Sequence, residues 1–240
     1  MKRYFASFLP QTPPPNEVCT CGAFKEYRYH GGEWHETECE NCAKAAAEKQ
    51  RLEHIKSNIG SVLELAGVPA RYRAVTINDM ENLSAAAMDG FFQGLQGKSL
   101  VLHGGVGSGK TMLACCVLRE LALKGKEVLF RTVPNLLAAV RSAMDETGKL
   151  PENVLREVIT AEVIILDDLG AEYTTEWAKE CIYRIVNDRY NEMRQTIYTS
   201  NFRPDSGGEI ARTLGRRVTS RLAACRCIHV GEQDRRSGRG

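Results

Sequence analysis

The rhythm of apolar and polar positions changes near Ser99. Upstream, regular apolar patterning is sparse. "AKAAAEKQRLEHIKS" (43–57) holds neither Gly nor Pro and predicts a helix with a mostly polar surface. "GVPARYRAVTINDM" (67–80) is turn-rich and predicts a linker. Downstream, short apolar runs alternate with helical patterns. "SLVLH" (99–103), "EVLFRT" (127–132), "EVIILDD" (162–168), "TIYTSN" (196–201) and "CIHV" (227–230) predict strands. "KTMLACCVLRELALKG" predicts a helix that stops at Gly125, "VPNLLAAVRSAMDE" and "PENVLREVIT" a helical pair broken at Gly148 and Pro151, and "TTEWAKECIYRIVNDRYNEMR" a long helix. Short basic helices precede the last strand. Such alternation predicts an α/β domain with a mostly parallel sheet.

Length then bounds the organisation. With 240 residues there is room for one ordinary domain and a small appendage. The boundaries read as a flexible Pro-rich start (1–18), a cysteine-bearing segment (19–42), a helix and linker (43–80) and the α/β domain (81–240). The formal net charge of +2 points to no nucleic-acid or membrane partner by itself. From Arg212 onward, however, eight arginines face only Glu232 and Asp234. No signal peptide and no run long enough to span a membrane is visible, which gives the expectation of a cytoplasmic protein without a membrane partner.

Chemistry enters with "GGVGSGKT". Gly104, Gly109, Lys110 and Thr111 complete G-x-x-x-x-G-K-[ST] between a strand and a helix. Backbone amides of Gly104, Gly105, Val106, Gly107, Ser108 and Gly109 are expected to surround phosphate oxygens, aided by the positive end of the helix. Lys110 supplies a point charge for the β- and γ-phosphates, and Thr111 a hydroxyl ligand for Mg²⁺. A chance Gly-rich turn is the bland alternative. "VIILDD" adds Asp167 at a strand's C-terminal edge, where α/β sheets bind ligands, as the acid on the Mg²⁺ side. Asp168 follows, placed to polarise an attacking water. Asn201, after "TIYT", reads either as a contact to water or γ-phosphate or as a strand-ending residue. Arg217 and Arg221 lie four apart on one helical face; they read as an arginine finger or as a solvated basic face. Arg235 reads as a phosphate contact or part of a basic tail.

Of the nine cysteines, four cluster as "CTC" and "CENC". Cys19, Cys21, Cys39 and Cys42 suit tetrahedral Zn²⁺, with His30 and His35 between the pairs as alternative ligands. C-x-x-C is an ordinary half-site, whereas C-x-C is unusual. A segment this short with few large apolar residues hardly folds without a metal.

The set "GGVGSGKT", "VIILDDLGAE", "TIYTSN", "RRVTSRL" and "GEQDR", in this order, resembles the DnaC/DnaI-type helicase loaders and the related IstB-type transposition ATPases, both of the AAA+ class. The resemblance covers residues 65–236. It implies an AAA+ P-loop three-layer fold with a five-stranded parallel sheet and no full helical lid, joined to the zinc-binding segment and linker helix. By resemblance Lys110 and Thr111 are Walker A contacts, Asp167 and Asp168 the Walker B acids, Asn201 sensor 1, Arg221 the arginine finger with Arg217 beside it, and Arg235 the sensor 2 arginine. Gln233-Asp234 stand where the family's "GESYR" has Ser-Tyr, setting an acid beside that arginine. The helical pair at 134–160 is similar in place to an inserted helix that promotes open-ended self-assembly along single-stranded DNA. The implied activity is an ATPase that loads a DnaB-type replicative helicase onto single-stranded DNA, with ATP, Mg²⁺ and Zn²⁺ as cofactors and the cysteine segment as helicase contact. The alternatives are an IstB-like transposition helper that binds DNA and a transposase, a small-molecule kinase, and an adaptor with a vestigial ATP site.

Overall fold

The computed structural model describes residues 17–31, 33–79, 97–147, 152–170, 175–205 and 207–232. The chain divides into two compact units, Met1–His54 and Ile55–Gly240. Arg235, the helix break at Gly148 and Pro151, and most of the Pro-rich start lie outside the described residues.

The first unit contains an antiparallel hairpin, β1 (Tyr27–His30) and β2 (Glu33–Glu36), with Tyr29 opposite Trp34. Their rings meet at 5.2 Å between centroids. Lys25 bridges Glu17 at 2.9 Å and Glu36 at 3.3 Å. Helix α1 (Glu40–Ser57) buries no residue, as its polar, Ala-rich composition predicts. It starts three residues earlier than the sequence pattern suggests, which brings Cys42 into its first turn.

The second unit is built on a five-stranded sheet whose described ladders are all parallel. The strands are β3 (Leu100–Gly104), β4 (Val128–Thr132), β5 (Val163–Asp167), β6 (Gln195–Ser200) and β7 (Arg226–Gly231), in the spatial order β4-β5-β6-β3-β7. Every residue of β5 and β6 is buried, as parallel strands covered on both faces require. Period-two alternation sorts their side chains. Leu100, Leu102, Val163, Ile165 and Ile197 face one core, which α4 (Lys110–Leu123) covers. Val101, Ile164, Leu166 and Tyr198 face the other. That second core is closed by α5 (Val133–Thr147), α6 (Glu152–Thr160), α7 (Glu176–Asn191), α8 (Glu209–Leu214) and α9 (Arg216–Ala223). The result is three layers, helix–sheet–helix.

One expected boundary moves. The stretch read as a linker ahead of residue 81 belongs to the second compact unit, which begins at Ile55. The reason is apolar burial. Leu63, on α2 (Ile59–Leu65), together with Ala66 and Val68, is buried in the core that α4 covers, and Tyr72, on α3 (Ala70–Arg73), packs against it. The Ala66 carbonyl accepts from the Phe130 amide at 2.8 Å, tying the segment to β4. Between them Gly67, at φ +88°, passes so close to β4 that a Cβ would stand 2.9 Å from the Phe130 carbonyl oxygen.

At the opposite end of the strands from the glycine loop, Arg189 is completely buried on α7. Its guanidinium donates to the carbonyls of Val158, Ile159 and Ala161 at 2.8, 3.0 and 2.8 Å, to the Gln195 carbonyl at 2.7 Å and to the Thr196 hydroxyl at 2.8 Å. Burial draws its pKa down to about 10, leaving it charged at neutral pH. The compensation comes from the negative end of α6 and the start of β6. Arg189→Met keeps the length but orphans these acceptors. It should lower unfolding stability by about 3 kcal/mol, read as a lower urea midpoint with an unchanged slope.

Candidate nucleotide site and cysteine cluster

The glycine loop leaves the C-terminal end of β3 and closes onto α4. Gly104, at φ +147°, is pressed against β7: a Cβ there would lie 2.4 Å from the Gly231 carbonyl oxygen. The Gly105 amide donates to that same carbonyl at 2.9 Å. Gly107 and Gly109 take φ of +73° and +98°, the left-handed region where only glycine is unstrained. Gly109 forms the N-cap of α4. Val106 points outward and Ser108 inward. The Ser108 hydroxyl is buried and has no hydrogen-bond partner among the described residues. An orphaned hydroxyl inside a glycine loop at a helix N-terminus fits an anionic guest.

Lys110 is buried, and its ammonium donates to the carbonyls of Gly104 at 3.0 Å and Gly105 at 2.7 Å. The positive charge is thus held on the inner side of the loop by the loop's own backbone. Thr111 donates to Asp167 Oδ1 at 2.9 Å, joining α4 to the end of β5. Loop, lysine, threonine and acid are therefore one connected group. Asp167 is 4% exposed, and burial raises its pKa against the opposing effect of its hydroxyl partners. Asp168, its neighbour, is exposed and adopts φ +60°, unusual for a non-glycine residue. The positive φ turns the second acid out of the strand, so one carboxylate is buried and the next faces water. Such an arrangement has the chemistry for Mg²⁺ and a nucleotide triphosphate: Thr111 and Asp167 toward the metal, Lys110, Ser108 and the loop amides toward phosphate.

Thr199 is a participant that sequence reading missed. It is fully buried on β6 and donates to Asp167 Oδ1 at 2.6 Å, while its oxygen accepts the Asp168 amide at 2.9 Å. The signal was present in "TIYTSN". Thr199 stands two residues after Ile197, on the face toward α4, where an apolar residue would be expected. Asn201 follows the end of β6 and is exposed. Its neighbours are fixed: the Ser200 hydroxyl donates to the Leu169 carbonyl at 2.8 Å and accepts the Phe202 amide at 3.1 Å. Glu232, also missed, lies against the loop, with its carboxylate 2.9 Å from where a Gly105 Cβ would be.

Arg217 and Arg221 do share a face of α9, and both sit over the Tyr183 ring of α7, at 5.8 and 5.3 Å. Arg221 also donates to Asn187 Oδ1 at 2.9 Å and to the Arg217 carbonyl at 3.0 Å. These contacts are with α7 and α9, apart from the lysine–acid group. The half-buried Arg221 is held at a fixed angle on the surface by stacking and hydrogen bonds.

In the first unit the Sγ atoms of Cys19, Cys21, Cys39 and Cys42 all lie within 4.8 Å of one another. Cys19 and Cys42 are 3.3 Å apart, Cys21 and Cys39 3.5 Å. Sulfurs about 2.3 Å from one tetrahedral ion lie about 3.8 Å apart, so the four thiols fit Zn²⁺. The short C-x-C half is accommodated by a turn, in which the Cys19 amide donates to the Ala23 carbonyl at 2.7 Å and Gly22 takes φ +85°. Hydrogen bonds from the Cys21 backbone and the Cys42 thiol draw Cys19 down to about 6, while Cys42 is pushed up to about 12 by its bond to Cys19. Neither His30 nor His35 belongs to this group of thiols.

Comparison with known proteins accords with this geometry. The replicative helicase loader DnaC of Escherichia coli (strain K12) is 29% identical over 124 residues, which are 52% of this chain and 49% of that one. The replicative helicase loader DnaI of Bacillus subtilis (strain 168) is 33% identical over 111 residues, 46% of this chain and 35% of that one. The chain thus matches about half or less of the length of these relatives. A crystal structure of the DnaC helicase loader superposes with a TM-score of 0.55 at 26% identity, covering 69% of this chain and 100% of that one. The sheet order and these likenesses make the second unit an AAA+ P-loop domain. The family model described as IstB-like ATP binding protein matches residues 72–221, from α3 to the stacked arginine of α9, and the chain belongs to that family.

Proposed function

We propose that this protein is an ATPase that loads a DnaB-type replicative helicase onto single-stranded DNA, with ATP binding and hydrolysis switching between assembly and release. The observation that carries the ATPase reading is the convergence of Lys110, Thr111 and Asp167 around a loop whose buried Ser108 hydroxyl has no hydrogen-bond partner among the described residues. A buried lysine close to a buried acid supports that reading, because such charges are costly without a compensating guest. The helicase reading draws on likeness to relatives named replicative helicase loaders.

Each residue then has a task. Loop amides and Lys110 would hold the phosphates, and Thr111 and Asp167 would hold Mg²⁺, which when bound would supply compensating positive charge to the transferred phosphoryl group. Asp168, exposed beside them, polarises the attacking water. Asn201 steadies that water or the γ-phosphate. Arg221, with Arg217 beside it, reaches the γ-phosphate of a neighbouring copy, which makes hydrolysis depend on assembly. Arg235, outside the described residues, takes the sensor 2 role by resemblance, as a contact to the nucleotide's phosphate. The zinc unit carries the contact to the helicase. The family's name keeps a second reading open, an IstB-like transposition helper acting on DNA and a transposase. The four-cysteine unit favours the loader.

Lys110→Ala should abolish ATP binding, measured with a fluorescent analogue, while the bound zinc content of the chain stays at one ion. Arg221→Ala should bind ATP as the wild type does, yet lose about a thousandfold of assembly-stimulated hydrolysis. Equal stimulation in the variant would remove the finger role. Used as bait in a bacterial lysate, the full-length chain should retain a hexameric replicative helicase in an ATP-dependent manner. Retention of a transposase instead would decide for the second reading.

A further inference from the structure

Resting on the ATPase reading, we infer that Thr199 is a positioning residue for hydrolysis that sets the two acids of the site relative to each other. Its hydroxyl has one proton and two lone pairs, and the site uses both functions. The proton goes to Asp167 Oδ1 at 2.6 Å, and the oxygen accepts the Asp168 amide at 2.9 Å. One buried oxygen therefore fixes the carboxylate on the metal side and the backbone that carries the acid on the water side. The Thr199 carbonyl extends the hold by one residue, accepting the Leu169 amide at 2.8 Å.

The backbone at Asp168 shows what this hold achieves. A non-glycine residue at φ +60° persists where its surroundings over-determine it. Here the amides on both sides of the Asp168 α-carbon bond to Thr199, and Ser200 takes up the next carbonyl, that of Leu169. Without this lacing the two consecutive acids would continue the strand alternation and point to opposite faces of the sheet. With it, Asp168 turns outward at the strand tip beside buried Asp167. The same lacing runs into the turn that carries Asn201, so the water-side acid and the candidate water sensor are set by adjacent residues of one strand.

A merely structural role predicts a different response. Removing the hydroxyl leaves the Asp168 amide unpaired and takes one of two hydroxyl donors from Asp167, so a merely structural role would lower the melting temperature and leave kcat unchanged. Thr199→Val keeps volume and removes both bonds; Thr199→Ser keeps both bonds and loses a methyl. Full-length wild type and the two variants are compared by steady-state ATP hydrolysis with Mg²⁺ and a single-stranded oligonucleotide, by binding of a fluorescent ATP analogue, and by thermal melting. Thr199→Val should bind nucleotide as the wild type does, with KM unchanged and kcat lowered about tenfold to a hundredfold. Thr199→Ser should recover most of that rate. The inference is overturned if Thr199→Val hydrolyses at the wild-type rate, if its nucleotide binding falls in step with its rate, or if Thr199→Ser is as slow as Thr199→Val. Should Thr199→Val fail to melt cooperatively, Thr199→Ala, which removes the same bonds with less volume, decides by the same criteria. A wild-type chain that hydrolyses no ATP would defeat the ATPase reading itself, and with it the role of Thr199.

Discussion

A carboxylate buried at the C-terminal edge of a parallel sheet is the constraint around which the second unit is arranged. Asp167 is costly to ionise there, and the cost is reduced only by groups brought to it from other elements. One hydroxyl comes from the first turn of α4 and the other from β6. The second arrives because the parallel register sets Leu166 beside Tyr198, so the next residues, Asp167 and Thr199, meet; the first arrives because the glycine loop returns the chain from β3 into α4. The order β4-β5-β6-β3-β7 is thus more than a topological label. It places the strand with the acid and the strand with the loop on either side of the strand that supplies the connecting hydroxyl.

Much of this was legible in the chain because it is written locally. "VIILDD" and "LVLHGGVGSGKT" each carry their own strand, turn and chemistry, and their structures follow the reading to within a residue or two. Less legible were features that depend on register between distant segments. Thr199 looks like an ordinary β-former until β5 is laid beside it. Glu232 gains meaning only when β7 is set next to the loop. The linker reading failed for a related reason: turn-forming residues at 67–80 mark a change of direction, and nothing local says that Leu63, Ala66 and Val68 fill a core. Arg189 is the extreme case, a charged residue in a helix of mixed charge whose acceptors come from other elements.

The two units solve the problem of size differently. The AAA+ unit has two apolar layers and the buried ladders of β5 and β6. The first unit has a hairpin of two four-residue strands, a helix with no buried residue and a cluster of thiols. Few large apolar side chains are covered there; Val18 and Phe24 stand 59% and 67% exposed. Its order must come chiefly from the thiol cluster, which joins the turn at Cys19–Cys21 to the start of α1 at Cys39–Cys42. The four thiols have the spacing for Zn²⁺, whose binding energy would stand in for the core that so short a segment cannot build.

The packing of β7 against the loop gives the glycines of "GGVGSGKT" two unrelated reasons to exist. Gly107 and Gly109 are glycine because the chain turns through dihedrals that other residues avoid. Gly104 and Gly105 also lack room: a methyl group on either would strike the backbone of Gly231 or Glu232. A side chain at either position would have to push the last strand from the edge of the sheet. Half of the signature that biochemistry associates with phosphate is therefore also a record of how closely two strands lie, and those two glycines would be needed even in a protein that never met a nucleotide.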